Sequence, residues 1–296
     1  MTAHYNLGLC GYPLGHSLSP LLHRAALEAA GLSGSYTLFP IPPLPDGQSL
    51  LADLIKQLQL GELQGLNVTI PHKQSVIALL DELTPTTRAI GAVNTLFIDN
   101  KKIIGDNTDA PGFLLDLAQL PLLEKNTAVV LGAGGAARAV VYALLQSGWQ
   151  VHIASRRAEQ AAALAKELSA AVTDKTIALT SSILEAASLQ NYLPGCRLIV
   201  NATPAGMSPN ILGNPWPAGL DFPRSACLYD LVYNPAETAL LRAAHAAGIP
   251  ARSGLGMLVE QAALAFESWT GCPASRSAMW SSVSAANLSE IRSNPL

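Results

Sequence analysis

Three groups of residues along this chain carry chemistry. The first is Gly132, Ala133, Gly134, Gly135 and Ala136, which interrupt the apolar run 129–131 and lead into a helical pattern. Glycines at such a break let the chain turn sharply and bring the backbone N–H groups of a helix start close to a pyrophosphate. The spacing G-x-G-G-x-A has alanine at the third glycine of the usual dinucleotide fingerprint, and alone it also fits an ordinary strand-to-helix turn. The next strand pattern, 149–154, runs into Ser155, Arg156 and Arg157. An acidic residue there would accept from a ribose 2′-hydroxyl, whereas adjacent arginines suit a 2′-phosphate. Glycine turn and arginine pair together point to an NADP site.

The second group lies in G-Y-P-L-G-H-S-L-S-P, residues 11–20, between the first strand pattern and the first helix. Ser19-Pro20 reads as a helix cap followed by proline at the first helical position. Ser17 is not needed for that cap, so the two hydroxyls beside helix N–H groups also suit a carboxylate ligand. The third group is L-N-V-T-I-P-H-K, residues 66–73, where Asn67 and Thr69 are polar residues on one face of an apolar strand. A helix is expected over 71–80, with Lys73 in its first turn. There the positive helix end disfavours an ammonium, which suits a general acid/base; an exposed lysine is the plainer alternative. G-A-V-N-T (91–95) and G-D-N-T-D-A-P-G-F (105–113) add Asn94, Asn107 and Asp109 at element ends. Asn107 or Asp109 would cap the helix expected over 107–120, or Asp109 would hold a lysine by a charge-assisted hydrogen bond.

Short apolar strands alternate with helical patterns from end to end, the signature of parallel α/β units. In the first half, strands are expected near 7–10, 36–41 and 65–70, and helices over 20–30, closed by Gly31, and 50–60. Residues 93–98 and 102–105 flank Asp99-Asn100-Lys101 and read as a hairpin. From Thr127 the pattern runs strand, helix, strand, helix, with further strands near Ile177, Leu198 and Cys227 and a helix over 236–247. Two last helices, 258–269 and 274–290, are expected to pack back on the first domain, and 293–296 to be loose. The fold expected is α/β with two domains. An N-terminal α/β substrate domain, 1–107, is joined by the helices 258–290, and 108–257 forms a Rossmann-type doubly wound NADP-binding domain. The active site is expected in the cleft between them.

The 296 residues suffice for two domains of about 150, and with 49% hydrophobic and 13% charged residues the chain is globular. A net charge of −3, with no run of Lys/Arg longer than two, gives no electrostatic case for nucleic acid. The four cysteines are scattered with no C-x-x-C, and the six histidines show no ligand spacing, so neither disulfides nor a metal are expected. No stretch approaches the roughly 18 apolar residues of a membrane helix, and the N-terminus lacks a basic leader region. A cytoplasmic protein, monomer or homodimer, is expected.

Taken in order, these blocks resemble the shikimate dehydrogenase family. The resemblance also rests on N-A-T-P-A-G-M (201–207), Y-D-L-V-Y-N-P (229–235) and G-L-G-M-L-V-E-Q (254–261). It implies Lys73 and Asp109 as the catalytic pair, with Ser17, Ser19 and Tyr233 holding the substrate carboxylate. Asn67, Thr69, Asn94, Asp109 and Gln261 would bind ring hydroxyls. The loop Gly132 to Ala136 would cradle the pyrophosphate, Ser155, Arg156 and Arg157 would meet the ribose phosphate, and Thr203, Leu231, Gly254 and Met257 would lie near the ribose and nicotinamide. The implied reaction is reversible NADPH-dependent reduction of 3-dehydroshikimate to shikimate. Two departures stand out: the family's N-R-T is replaced by Ser155-Arg156-Arg157 with Gln160 where a further arginine is common, and Ser253 precedes Gly254. The alternatives are a quinate/shikimate dehydrogenase using NAD and a dinucleotide-binding sensor without turnover.

Overall fold

The computed structural model describes residues 4–120, 126–172, 174 and 176–293. The chain forms two units, Met1–Thr108 with Val259–Leu296, and Asp109–Leu258. In the first, the elements are β1 (His4–Gly11), α1 (Ser19–Ala29), β2 (Ser33–Pro40), α2 (Gln48–Gln59), β3 (Gly65–Val68), β4 (Glu82–Leu83), α3 (Pro85–Ile90), β5 (Thr95–Asp99) and β6 (Lys102–Asp106). Their sheet has the order β2-β1-β3-β5-β6-β4. β1 pairs parallel with β2 and β3, but β5 runs antiparallel to both β3 and β6, so the sheet is mixed. The hairpin causes this. Asn100 and Lys101 both take positive φ, 48° and 66°, the two-residue turn whose twist matches its strands.

α2 shows how the first core is built. Leu51, Leu54, Ile55 and Leu58 recur at helical spacing, all four are buried, and they pack with Cys10, Leu66, Val68 and Leu96 from the sheet. Burial pushes the Cys10 thiol up to about 12, so it is an inert apolar filler.

The second unit comprises α4 (Asp109–Leu117), β7 (Thr127–Leu131), α5 (Gly135–Gln146), β8 (Gln150–Ser155), α6 (Ala158–Leu168), β9 (Leu179–Ile183), α7 (Ala186–Leu189), β10 (Cys196–Asn201), β11 (Cys227–Asp230), α8 (Ala239–Ala246) and β12 (Ala251–Ser253). The strands form one sheet, β12-β11-β10-β7-β8-β9, parallel at every pairing. The order reverses between β7 and β10, as in the doubly wound dinucleotide fold, where ligands bind outside the carboxyl ends of the strands at such a switch point. Such strands are buried on both faces, which explains the unbroken apolar runs 128–131 and 198–200. α9 (Leu255–Thr270) starts in this unit and continues into the first, where α10 (Arg276–Ser293) packs against α1. The tail expected to be loose falls outside the described residues, apart from Ser293, which ends α10.

Two helix expectations fail. The crossover helix begins at Asp109, not Asn107, because the Asn107 side-chain amide is drawn away to donate to the Ala92 carbonyl, 2.8 Å. No α-helix follows β3 either. Residues 71–74 form turns and Ser75–Leu79 a 3₁₀ helix, because the Lys73 carbonyl accepts from Val93 N–H (2.7 Å) instead of from the next helical turn.

α4 is fastened by its buried Asp116. The carboxylate accepts from the Tyr229 hydroxyl (2.5 Å), from Arg252 Nε (2.9 Å) and from Arg252 Nη2. Gly256 lies so close that a Cβ there would overlap the carboxylate. Phe113 meets the Tyr229 ring edge-on at 5.1 Å, so one cluster joins α4, β11, β12 and the start of α9.

Two buried rings tie stability to pH. Burial holds His23 on α1 neutral, its pKa lowered from 6.5 to about 3, with Asn67 beside it a smaller opposing influence. Burial likewise lowers His152 to about 4; its ring stacks on Tyr192 and bonds Thr180 and Ser182. Between these values and 6.5 the unfolded chain binds more protons than the folded one, so stability falls as pH drops through that window.

Asp116→Ala strands Arg252 and the Tyr229 hydroxyl and is expected to destabilise the protein by roughly 3–5 kcal/mol in urea denaturation. Stability measured from pH 6.5 down to 4 is expected to fall, and His23→Phe to remove about 1.4 kcal/mol per pH unit from that slope.

Candidate functional site

In the first unit the polar residues picked out in the sequence gather around Asn94, between α3 and β5. Its Oδ1 accepts from Thr108 N–H (2.7 Å) and the Thr95 hydroxyl (3.0 Å). Its Nδ2 donates to Thr108 Oγ1 (2.9 Å) and to Oε1 of Gln261 on α9 (3.4 Å). Asn67, on β3, donates through Nδ2 to the Asn94 carbonyl (3.1 Å) and Thr95 Oγ1 (3.2 Å), and its Oδ1 accepts from the Tyr36 hydroxyl (2.8 Å). Asn67, Asn94 and Gln261 are thus brought together through direct or shared bonds. Thr69 follows the end of β3, bonded through its N–H to the Cys10 carbonyl, and its methyl closes against Gly11.

Lys73 sits half-buried on the turn after β3. The expected helix-start effect on its ammonium is withdrawn, since no α-helix begins there. What holds the turn is tertiary: Val93 N–H on the Lys73 carbonyl, and the fully buried His72 ring, whose Nε2 lies 2.8 Å from the Ile41 carbonyl. That carbonyl only accepts, so Nε2 carries the hydrogen.

At α1 the cap differs from the expected one. Leu18 occupies the cap position and Ser19 is the first helical residue. The hydroxyl that bonds a helix N–H is that of Ser17, which accepts from Ser19 N at 3.3 Å. Ser19 is nonetheless buried at the same helix end.

In the second unit Gly132 leaves β7 with φ +109°, a backbone region closed to most side chains, and a Cβ there would press on Thr203 and Ala202 at 3.0–3.1 Å. Gly134 holds the cap position of α5 with no side chain capping the helix, and a Cβ on it would meet open space. The start of α5 therefore offers an uncapped helix end with the positive dipole pole. Ser155 is buried at the end of β8, while Arg156 and Arg157 are exposed and make no ion pair with a carboxylate among the described residues. An NADP molecule fits this set: the uncapped glycine turn suits its pyrophosphate, and two unneutralised guanidinium groups suit its 2′-phosphate. Arg138, by contrast, is bonded to Glu167 (2.5 Å).

Thr203 donates through Oγ1 to Asn201 Oδ1 (2.7 Å), and Asn201 Nδ2 donates to Asp230 Oδ1 (2.8 Å). Thr238 completes the chain by donating to Asp230 Oδ2 (2.6 Å). Burial raises the Asp230 pKa, and hydrogen bonds from Thr238, Val232 and Asn201 oppose it. Leu231 and Val232 follow this anchor. The Leu231 carbonyl lies where a Cβ on Gly254 would be, and Met257 is buried on the next helix. Tyr233 is half-buried, and burial pushes its phenol up. Asp109 is buried in the first turn of α4, a helical residue instead of a cap.

Sequence reasoning passed over Tyr36, Thr95, Thr108, Asp230 and Thr238. Asn201 and Asp230 carried a signal, since both are polar residues closing apolar strands, and the sheet register sets them side by side. Tyr36 carried none, because a tyrosine in a strand is ordinary.

Among the described residues no His/Cys/Asp/Glu cluster suits a metal ion, and no helix is long and apolar enough to cross a membrane.

Three family models match the chain: the shikimate dehydrogenase substrate binding domain over residues 9–96, shikimate/quinate 5-dehydrogenase over 115–205, and the shikimate 5′-dehydrogenase C-terminal domain over 254–283. A shikimate dehydrogenase (NADP+) of Salinibacter ruber is 44% identical over 267 residues, covering 88% of this chain and 90% of the relative. The shikimate 5-dehydrogenase of Thermus thermophilus, solved in complex with NADP(H) and shikimate, superposes with TM-score 0.80 at 38% identity, over 95% of this chain and 99% of that one. The quinate dehydrogenase of Corynebacterium glutamicum, solved in complex with NAD, gives TM-score 0.83 at 34% identity, over 96% and 100%. Two α/β units in this order, an uncapped glycine turn in the second and likeness along nearly the whole length lead to one conclusion: the chain belongs to the shikimate dehydrogenase family.

Proposed function

We propose that this protein is an NADP-dependent shikimate dehydrogenase, catalysing the reversible reduction of 3-dehydroshikimate to shikimate. The observation that carries this reading is the likeness, along nearly the whole chain, to relatives bearing that name. When bound, the reduced cofactor supplies the hydride. The rest of the chemistry belongs to the protein's own side chains, which bind the substrate, hold it in register and handle one proton.

Lys73 Nζ donates that proton to the carbonyl oxygen as it gains charge, and removes it in the reverse direction. Its backbone is pinned by Val93, which gives the acid a fixed origin. Asp109 is the second member of the catalytic pair. Ser17, Ser19 and Tyr233 are assigned to the substrate carboxylate, and Asn67, Thr69, Asn94, Asp109 and Gln261 to its hydroxyls. Asn67 donates both amide hydrogens to protein acceptors, so its oxygen is the end suited to a ligand hydroxyl.

Gly132, Ala133, Gly134, Gly135 and Ala136 are assigned to the pyrophosphate, and Ser155, Arg156 and Arg157 to the 2′-phosphate. Thr203, Leu231, Gly254 and Met257 are assigned to the ribose and nicotinamide. The buried, unpaired thiols Cys10, Cys196 and Cys227 fit the reducing interior of a cytoplasm. Quinate oxidation with NAD is the second reading, favoured by Gln160 where a further phosphate-binding arginine is common. Absorbance assays of shikimate and quinate, each with NADP+ and NAD+, separate the two. Turnover is expected with shikimate and NADP+, and preference for quinate with NAD+ would overturn this assignment.

Lys73→Ala is expected to lower kcat by about 10²–10⁴ with little change in shikimate affinity, measured at saturating substrate. Arg156→Ala is expected to weaken NADPH binding by roughly tenfold or more and NADH hardly at all; equal losses would remove the arginine from phosphate recognition.

A further inference from the structure

His23 and Tyr36 form a stack beside Asn67, and the chemistry above uses neither ring. Tyr36 on β2 and Gly65 on β3 lie in one row across Leu7 of β1, with Asn67 two residues further along β3. The glycine leaves that row open, and the Trp269 ring lies where a Cβ on Gly65 would be. The imidazole of His23 stacks flat on the Tyr36 ring, with centroids 4.3 Å apart and planes 4° apart, and meets Trp269 at 5.2 Å. It is fully buried, and neither ring nitrogen has a hydrogen-bond partner among the described residues. A buried polar ring left unsatisfied costs stability, so its flat face against tyrosine is what the position uses.

The result of that stack is a fixed phenol whose hydroxyl meets Asn67 Oδ1 at 2.8 Å. Both hydrogens on Asn67 Nδ2 are already given to Asn94 and Thr95. An amide with its oxygen unheld is able to turn over and exchange its two ends, whereas a donor on Oδ1 decides which end is which. Among the described residues Tyr36 is the one donor bonded to that oxygen, which leaves a lone pair for a ligand.

We propose that Tyr36 is a positioning residue for substrate recognition: seated on His23, it orients the Asn67 amide so that Oδ1 accepts from a hydroxyl of the polyhydroxylated ring acid. This inference rests on the assignment of Asn67 as a substrate ligand. It makes recognition at this point acceptor-only, selecting a hydroxyl donor over a carbonyl or ether oxygen.

The test is a double-mutant cycle of Tyr36→Phe and Asn67→Ala, with steady-state kinetics for shikimate and NADP+. Tyr36→Phe is expected to raise the KM for shikimate roughly tenfold, the scale of one lost orienting hydrogen bond, with kcat within about threefold and the KM for NADP+ unchanged. On the Asn67→Ala background the same change is expected to add less than about twofold. Additive effects overturn the proposal, because a tyrosine that only supports the fold would act independently of Asn67. An unchanged KM in Tyr36→Phe also overturns it, and a raised KM in Asn67→Ala then leaves Asn67 standing as a ligand. An unchanged KM in Asn67→Ala removes both the assignment and the inference. Should Tyr36→Phe not fold, His23→Leu unstacks the phenol without removing its hydroxyl; a raised shikimate KM with kcat held supports the proposal, and an unchanged KM overturns it.

Discussion

Asn94 is the interaction on which the first unit turns. Its main chain accepts from Val68 N–H (2.8 Å) and donates to the Asp106 carbonyl (3.0 Å), while its side chain grips Thr108 twice and reaches Gln261. One buried residue therefore sets the spacing between β3, β6, the residue before α4, and α9. Such a hub requires an amide: aspartate would lose both donors, and a hydrophobic residue would leave the Thr108 N–H and the hydroxyls of Thr95 and Thr108 short of partners. The placement of Asn67 and Thr69 beside the Lys73 turn depends on this frame more than on any local helical or strand preference.

The two units answer different demands. The Rossmann unit exposes backbone at a glycine turn and has two arginines, Arg156 and Arg157, without an ion pair among the described residues. The first unit instead has its side-chain amides already committed to one another. A preformed polar network loses little entropy when a ligand arrives, and it refuses molecules whose donors and acceptors are misplaced.

The sequence made the architecture legible because each layer repeats one pattern. The apolar runs 128–131 and 198–200 became central parallel strands of the second sheet, Asn100-Lys101 became a tight hairpin, and Gly132 took the left-handed angle its place in the motif required. The helix expected over 71–80 did not form, because the decisive partner of the Lys73 carbonyl is Val93, twenty residues further on. The start of α4 moved for the same reason, with Asn107 captured by Ala92. The cap at α1 was read onto Ser19 when Ser17 supplies the acceptor, a distinction between neighbouring hydroxyls that local preference does not make. The Tyr36–Asn67 bond joins residues 31 apart across an intervening strand, and no short-range spacing announces it.

The thiols have a consequence for survival under oxidative attack. Cys10 lies within β1, next to Phe39 and Val68, and both it and Cys196 are pushed up to about 12 by burial. Peroxides and electrophiles react with thiolate, so these sulfurs present almost nothing to attack, and Cys272 is left as the partly accessible one. Strands β1 and β10 thus contain buried sulfur that offers oxidants little thiolate.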